Sequence, residues 1–132
     1  MRLVLANGVF DLLHPAHIRH LEAARQLGDF LVVGLTMDAG VAKAGRPVMR
    51  EDERLEMLRA VRCVSAVTLC RDSLEALAQW RPDVFCKGGD YRRKGLLPAE
   101  VRYCAEHGIK IAHTKFDPLT TSSIIERIKC AS

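Results

Sequence analysis

Five short apolar runs, each followed by a stretch with helical spacing, recur along the whole sequence. The runs are Arg2–Ala6, Phe30–Thr36, Ala66–Leu69, Val84–Lys87 and Lys110–His113. The segments Ala16–Leu27, Glu51–Val61, Ser73–Trp80, Pro98–His107 and Ser122–Lys129 predict helices. Strands this short, with little polar alternation, belong in a parallel sheet covered on both faces, since a solvated face would put a polar residue at every second position. Repeated β–α units joined by right-handed crossovers predict an α/β domain: a doubly wound, five-stranded parallel sheet with helices on both faces. In such a sheet a ligand lies outside the carboxyl ends of the strands, at the topological switch point.

The 132 residues predict a single domain, 1–132, with enough material for one core. A net charge of +4, with one Trp, two Tyr and no basic cluster interleaved with aromatics, argues against a nucleic-acid partner and suits a small anionic substrate. The five cysteines form no C-x-x-C pair. An odd count with no secretory signal predicts reduced thiols and a cytoplasmic protein. No apolar run approaches the roughly 20 residues of a membrane span, so no membrane partner is expected.

The chemistry concentrates directly after the first strand, in Gly8-Val-Phe-Asp-Leu-Leu-His-Pro-Ala-His17. A helix start offers unpaired N–H groups and partial positive charge to an anion. His14 and His17, three residues apart, can both face that point and donate to phosphate oxygens. Taken alone, the pair also fits ordinary turn histidines or two zinc ligands. No third ligand stands at a zinc-like spacing, so no metal site is predicted.

Gly8, Phe10, Asp11, His14 and His17 match G-x-F-D-x-x-H-x-G-H, and the segment resembles the signature of the cytidylyltransferase-like nucleotidyltransferases. Ala16 departs from it, standing where that family has glycine; altered affinity, not loss of the site, is the expected result. The resemblance implies a Rossmann-like fold, His14, His17 and Lys43 as catalytic residues, and nucleotide contacts from Gly8, Val9, Phe10 and Asp11. Lys43, in Lys43-Ala-Gly-Arg-Pro47, matches the family's phosphate-binding lysine after the second strand. Arg54 matches an arginine of the next helix, and Arg62 resembles one that glycerol-phosphate cytidylyltransferases carry before the third strand.

Lys87-Gly-Gly-Asp-Tyr91 is similar to a segment of the adenylyltransferases that activate heptose 1-phosphate, as are Asn7-Gly8 and Gly45-Arg-Pro-Val48. Thr120, Thr121 and Ser122 fit the family's S-T-T phosphate motif, and Lys115 resembles a cytidylyltransferase arginine just before it. The resemblance thus adds Lys87, Gly88, Lys115, Thr120, Thr121 and Ser122 to the nucleotide site. It implies acceptor contacts from Asp38, Arg54, Arg62, Asp90 and Tyr91. The implied reaction is nucleotidyl transfer from an NTP to a phosphorylated acceptor, with Mg²⁺ as cofactor. Adenylyl transfer to a heptose 1-phosphate is ranked first, and cytidylyl transfer to a small phosphorylated alcohol or a phosphonate second. A nucleotide-binding module without catalysis is the third reading. A homodimer is expected, and the sugar kinase often fused to the heptose enzyme would be a separate chain.

Overall fold

The computed structural model describes residues 1–91 and 95–131. Its elements alternate as β1 (Leu3–Gly8), α1 (Pro15–Arg25), β2 (Phe30–Thr36), α2 (Glu51–Arg59), β3 (Ala66–Cys70), α3 (Ser73–Trp80), β4 (Val84–Lys87), α4 (Pro98–His107), β5 (Lys110–His113) and α5 (Thr121–Ala131). A single 3-10 turn, Asp38–Gly40, follows β2. The strands form one five-stranded sheet in the order β3-β2-β1-β4-β5, and every pairing is parallel. The α/β, doubly wound expectation is therefore met.

Strand pleating sends alternate residues to opposite layers. Val4, Ala6, Leu31, Val33 and Cys86 pack with Leu21 and Ala24 of α1 and Leu58 of α2. Leu5, Val32 and Phe85 pack on the other face with Ala76 and Leu77 of α3 and Cys104 of α4. The two apolar faces explain why these strands read as unbroken hydrophobic runs. Cys70, Cys86 and Cys104 are buried, and all five cysteines are free thiols. Among the described residues, no helix is long and apolar enough to cross a membrane.

Boundaries shift where side chains or pairing override local preference. β1 continues two residues past Ala6 because Asn7 and Gly8 pair with Gly34 and Leu35 of β2. Asn7, a poor strand former, is held there by Nδ2 donating to the Gly34 carbonyl at 2.9 Å. α5 opens one residue early, where Thr120 Oγ1 accepts from the Ser123 N–H (3.0 Å) as a helix cap.

β1 is central, so chain order changes direction between it and its neighbours β2 and β4. The loops after β1, β2, β4 and β5 meet at this switch point, on the carboxyl edge. Two buried polar residues lock the loops after β1 and β2 together. Arg54 of α2 is 1% exposed and donates to the carbonyls of Met49 (3.0 Å), Val9 (2.8 Å) and Thr36 (2.7 Å) and to Asp38 (2.6 Å). Asp11, also 1% exposed, accepts from Arg46 Nε (2.8 Å) and the N–H groups of Val48 (2.7 Å) and Met49 (3.0 Å). The Asp38–Arg50 segment, a flap candidate from its Gly and Pro content, is thus pinned at both ends.

Arg54→Met removes the guanidinium and strands three carbonyls and Asp38 without their donor. A loss of about 3–5 kcal/mol in unfolding free energy is expected, read by urea denaturation. A loss below about 1 kcal/mol would show that Arg54 does not hold these loops.

Candidate functional site

The loop from β1 into α1 is conformationally demanding. Phe10 (φ 49°) and Leu12 (φ 51°) both adopt the left-handed region, at a cost of about 1–2 kcal/mol each for non-glycine residues. Such strain gathers where a chain must present particular groups. A side chain at Gly8 would put its Cβ 2.9 Å from the Phe10 ring, so glycine is what lets that ring fold back.

His14 is the residue just before α1, with extended backbone (φ −140°, ψ 173°), and Pro15 opens the helix. His17 then falls at the third helical position, and its Nδ1 accepts from the His14 N–H at 3.2 Å. Glutamate or glutamine usually fills this role in a capping box. With Nδ1 acting as acceptor, the neutral ring carries its proton on Nε2. His14 stacks on His17 with ring centroids 3.8 Å apart, and Phe10 meets His17 edge-on at 5.4 Å. His14 is 8% exposed, and neither of its ring nitrogens has a hydrogen-bond partner among the described residues. Two unpartnered nitrogens on a buried imidazole are unusual and mark it as a group available to a polar ligand.

Burial, reinforced by positive charge on His14 and His20 when they are protonated, holds the His17 ring down at about 4. Burial lowers His14 as well, against the pull of Asp117. Both rings are therefore neutral near pH 7 and act as directed hydrogen-bonding groups. Burial pushes the Asp11 carboxyl up, but the Met49 and Val48 N–H groups and Arg46 outweigh it, leaving the carboxyl below its ordinary value.

These groups open onto a cavity of about 580 Å³ along the carboxyl edge, within the range that takes a small ligand. Gly8, Val9, Phe10, His14, Ala16 and His17 form one side. Gly88, Asp90 and Tyr91 come from the β4 loop, and Lys115, Thr120 and Thr121 from the approach to α5. Gly89 lets those two loops touch, because a Cβ there would strike the Phe116 backbone. Ala16 is accepted inside α1 with its methyl on the cavity wall, and the cavity stays open.

Other expected site residues lie elsewhere. Arg54 is enclosed by the four bonds described above and cannot reach an acceptor in this arrangement. Its partner Asp38 is likewise engaged, and Asp11 spends its carboxylate on the β2–α2 loop. Arg62 is exposed in the turn before β3, at the amino edge of the sheet and opposite the cavity. Lys87, expected to touch the nucleotide, is 6% exposed and instead pairs with buried Glu100 at 3.4 Å. Its ammonium also lies 4.2 Å from the centre of the Tyr91 ring, so its reach is to the loop wall.

Lys43 approaches the α5 start from outside the cavity lining, with Nζ 3.1 Å from Ser122 Oγ. Thr121 donates to the Asp11 carbonyl at 2.8 Å, fastening α5 to the β1 loop. In the first turn of α5 the Ser123 N–H is taken by Thr120 Oγ1, while those of Thr121 and Ser122 have no intrahelical acceptor, as at any helix start.

Sequence reasoning missed Arg19, His20, Thr114 and Asp117 on the cavity wall. Arg19 and Asp117 form an ion pair at 2.8 Å, and His20 Nδ1 lies 2.7 Å from Thr114 Oγ1. The helical spacing of His14, His17 and His20 was the available signal. Among the described residues, no group of three or more His, Cys, Asp or Glu is placed to hold a metal ion.

The sequence model of the cytidylyltransferase-like family matches residues 5–126. The chain is 38% identical over 133 residues to "Bifunctional protein HldE" of Pelobacter propionicus, a match covering 96% of this chain and 27% of that protein. It is 45% identical over 104 residues to the protein of the same name from Koribacter versatilis, covering 75% and 21%. The chain thus spans about a quarter of the length of these relatives. Among solved structures it resembles the lipopolysaccharide core biosynthesis protein of Thermoplasma volcanium, with a TM-score of 0.75 and 31% identity over 89% of this chain and 99% of that one.

The imidazole geometry sets a pH signature. The folded His17 ring binds its proton only near pH 4, whereas an unfolded one binds it near 6.5. Between those values the unfolded chain holds more protons. Stability is therefore fully present above about pH 6.5 and falls as the pH drops toward 4, by at most about 1.4 kcal/mol per pH unit from this group. Urea titrations at pH 7, 6, 5 and 4 are expected to show the decline, with a shallower slope in His17→Gln. An equal slope in the variant would contradict the burial assigned to His17.

Proposed function

We propose, since the chain belongs to the cytidylyltransferase-like family, that it transfers a nucleoside monophosphate from an NTP to a phosphorylated acceptor and releases pyrophosphate. The favoured pair is ATP and a heptose 1-phosphate. The observation that carries this reading is the stacked His14–His17 pair at a helix start on the wall of a ligand-sized cavity, with both His14 ring nitrogens unpartnered among the described residues. The heptose assignment draws on the relatives named HldE, the lipopolysaccharide core biosynthesis protein and the Lys87-Gly-Gly-Asp-Tyr91 segment.

In this reaction an oxygen of the acceptor phosphate attacks the α-phosphorus in line. The new bond is acceptor O–Pα, the bond broken is Pα–O to the β-phosphate, and the electron pair leaves with pyrophosphate. The acceptor phosphate is already ionised, so no general base is needed. Catalysis then rests on positioning and on donors aimed at the charge that builds on the leaving group. His17 Nε2–H and the His14 ring supply such donors from α1. The Thr121 and Ser122 N–H groups at the start of α5 and Lys43 beside them would supply the opposing donors, a polyphosphate arriving there exchanging the Lys43–Ser122 contact for its own oxygens.

Magnesium fits as a passenger on the polyphosphate, held by phosphate oxygens and water. Asp11 is committed to Arg46, Val48 and Met49 and lies outside the cavity lining, whereas Asp90 and Asp117 are carboxylates of that lining, Asp117 in its ion pair with Arg19. When bound, the ion would neutralise phosphate charge. The expected homodimer and cytoplasmic location belong to the same reading.

Lys115 on the cavity wall favours one competing reading, a cytidylyltransferase acting on a small phosphorylated alcohol or a phosphonate. Arg62, at the opposite edge, lends it nothing within one chain. Pyrophosphate release should be measured with each NTP against a panel of sugar 1-phosphates, phosphorylated alcohols and phosphonates. Turnover with ATP and a heptose 1-phosphate is expected; turnover with CTP alone would reverse the ranking, and nucleotide binding without turnover would favour the non-catalytic module. His17→Ala should keep the fold and lose about 10²- to 10³-fold in kcat. Near-normal pyrophosphate release by folded His17→Ala would remove the role assigned to that ring.

A further inference from the structure

The cavity does not stop at the phosphate-facing pair. From the cap residue His14, positions 17, 20 and 23 of α1 follow in steps of three, each turned about 60° from the last, so that neighbours in the row sit side by side. All four line the cavity. At 1.5 Å per residue this wall runs roughly 14 Å back from the helix start. A polyphosphate belongs at the start, where the N–H groups and the orphaned imidazole are. The rest of a nucleotide must then lie along His20 and Ala23, facing the β4 loop and Thr114. Ala23 supplies room, and His20 is the first polar ring beyond the phosphate end.

The His20 ring is held in place. Its Nδ1 lies 2.7 Å from Thr114 Oγ1, and Thr114 donates onward to the Lys87 carbonyl at 3.5 Å. Thr114 is itself 7% exposed, and its own N–H donates to that same carbonyl at 2.9 Å. We assign the His20 proton to Nδ1, the tautomer in which Thr114 Oγ1 accepts from it while directing its own proton to the Lys87 carbonyl, so that Nε2 keeps the lone pair. That is the reverse of His17, whose Nδ1 accepts and whose Nε2 donates. The row therefore offers a donor where the phosphates lie and an acceptor one turn further on. An acceptor at that depth suits an O–H or N–H of the nucleoside and repels phosphate oxygens.

We propose that His20 is a specificity residue that reads the nucleoside, its Nε2 accepting a hydrogen bond from a ribose hydroxyl or an exocyclic amino group of the base. This rests on the nucleotide occupying the cavity as proposed above. The asparagine amide sits where Nδ1 does and keeps the Thr114 contact without reaching the ligand, whereas the glutamine amide reaches the position of Nε2.

Affinity for ATP, without acceptor, should be measured by calorimetry for the wild-type chain, His20→Asn and His20→Gln. Ligand-free melting temperatures serve as the check on folding. His20→Asn is expected to melt like the wild type and to bind ATP about 3- to 10-fold more weakly, the usual effect of one hydrogen bond. His20→Gln is expected to recover most of that loss. The Asn penalty should vanish with 2′-deoxyATP or 3′-deoxyATP if a ribose hydroxyl is the partner, or with purine riboside triphosphate if the amino group is. Unchanged ATP affinity in folded His20→Asn, no recovery in His20→Gln, or a penalty that survives with all three analogues would overturn the proposal. Failure of the wild-type chain to bind either ATP or CTP would instead defeat the nucleotide reading itself.

Discussion

The backbone N–H of His14 donates to Nδ1 of His17, and much of what the cavity can offer an anion follows from that bond. It fixes the His17 ring by tying it to the chain just before its own helix, and it places the ring's proton on Nε2. Phe10 and His14 then enclose the ring from two sides, and the burial this creates keeps it neutral far below its usual titration range. A neutral imidazole attracts resting anions less than an imidazolium would. In return, its one proton points where a hydrogen bond can strengthen as charge builds on a departing group, which is the condition for catalysis by differential binding.

The surrounding polar residues build the frame around that bond. Arg54 and Asp11 are the kind of charged side chains a functional reading assigns to substrate, yet both are buried and saturated with protein partners. They join the loops that leave β1 and β2. The Lys87–Glu100 pair ties the end of β4 to the first turn of α4, where Glu100 also accepts from the Leu97 N–H at 3.3 Å. Buried charges bound this tightly hold position while the ligand changes charge in front of them.

The fold was legible because its determinants are local and periodic. Unbroken apolar strands such as Phe30–Thr36 announce a two-sided sheet, and each helix carries its own start signal, as Pro98 does for α4. Asn7 broke that legibility at the end of β1, where pairing with β2 overrode a polar residue's preference. The site was legible where it follows the chain: His14, His17 and Thr120 sit where spacing puts them. It was not legible where a charge could bond either a ligand or a distant loop. Nothing along the sequence separates Arg54, which faces inward to three carbonyls, from Lys115, which faces the cavity. His20 was missed for a related reason: its partner Thr114 is 94 residues away.

The central claim, that a polyphosphate lodges against the paired imidazoles, meets its most direct test in ¹⁵N NMR of the histidine side chains during a nucleotide titration at pH 7. The account predicts a neutral His17 with its proton on Nε2 in the free protein, and chemical-shift changes centred on His17 Nε2 and the His14 ring as nucleotide saturates. A His17 proton on Nδ1, or saturation with neither ring perturbed, would contradict it.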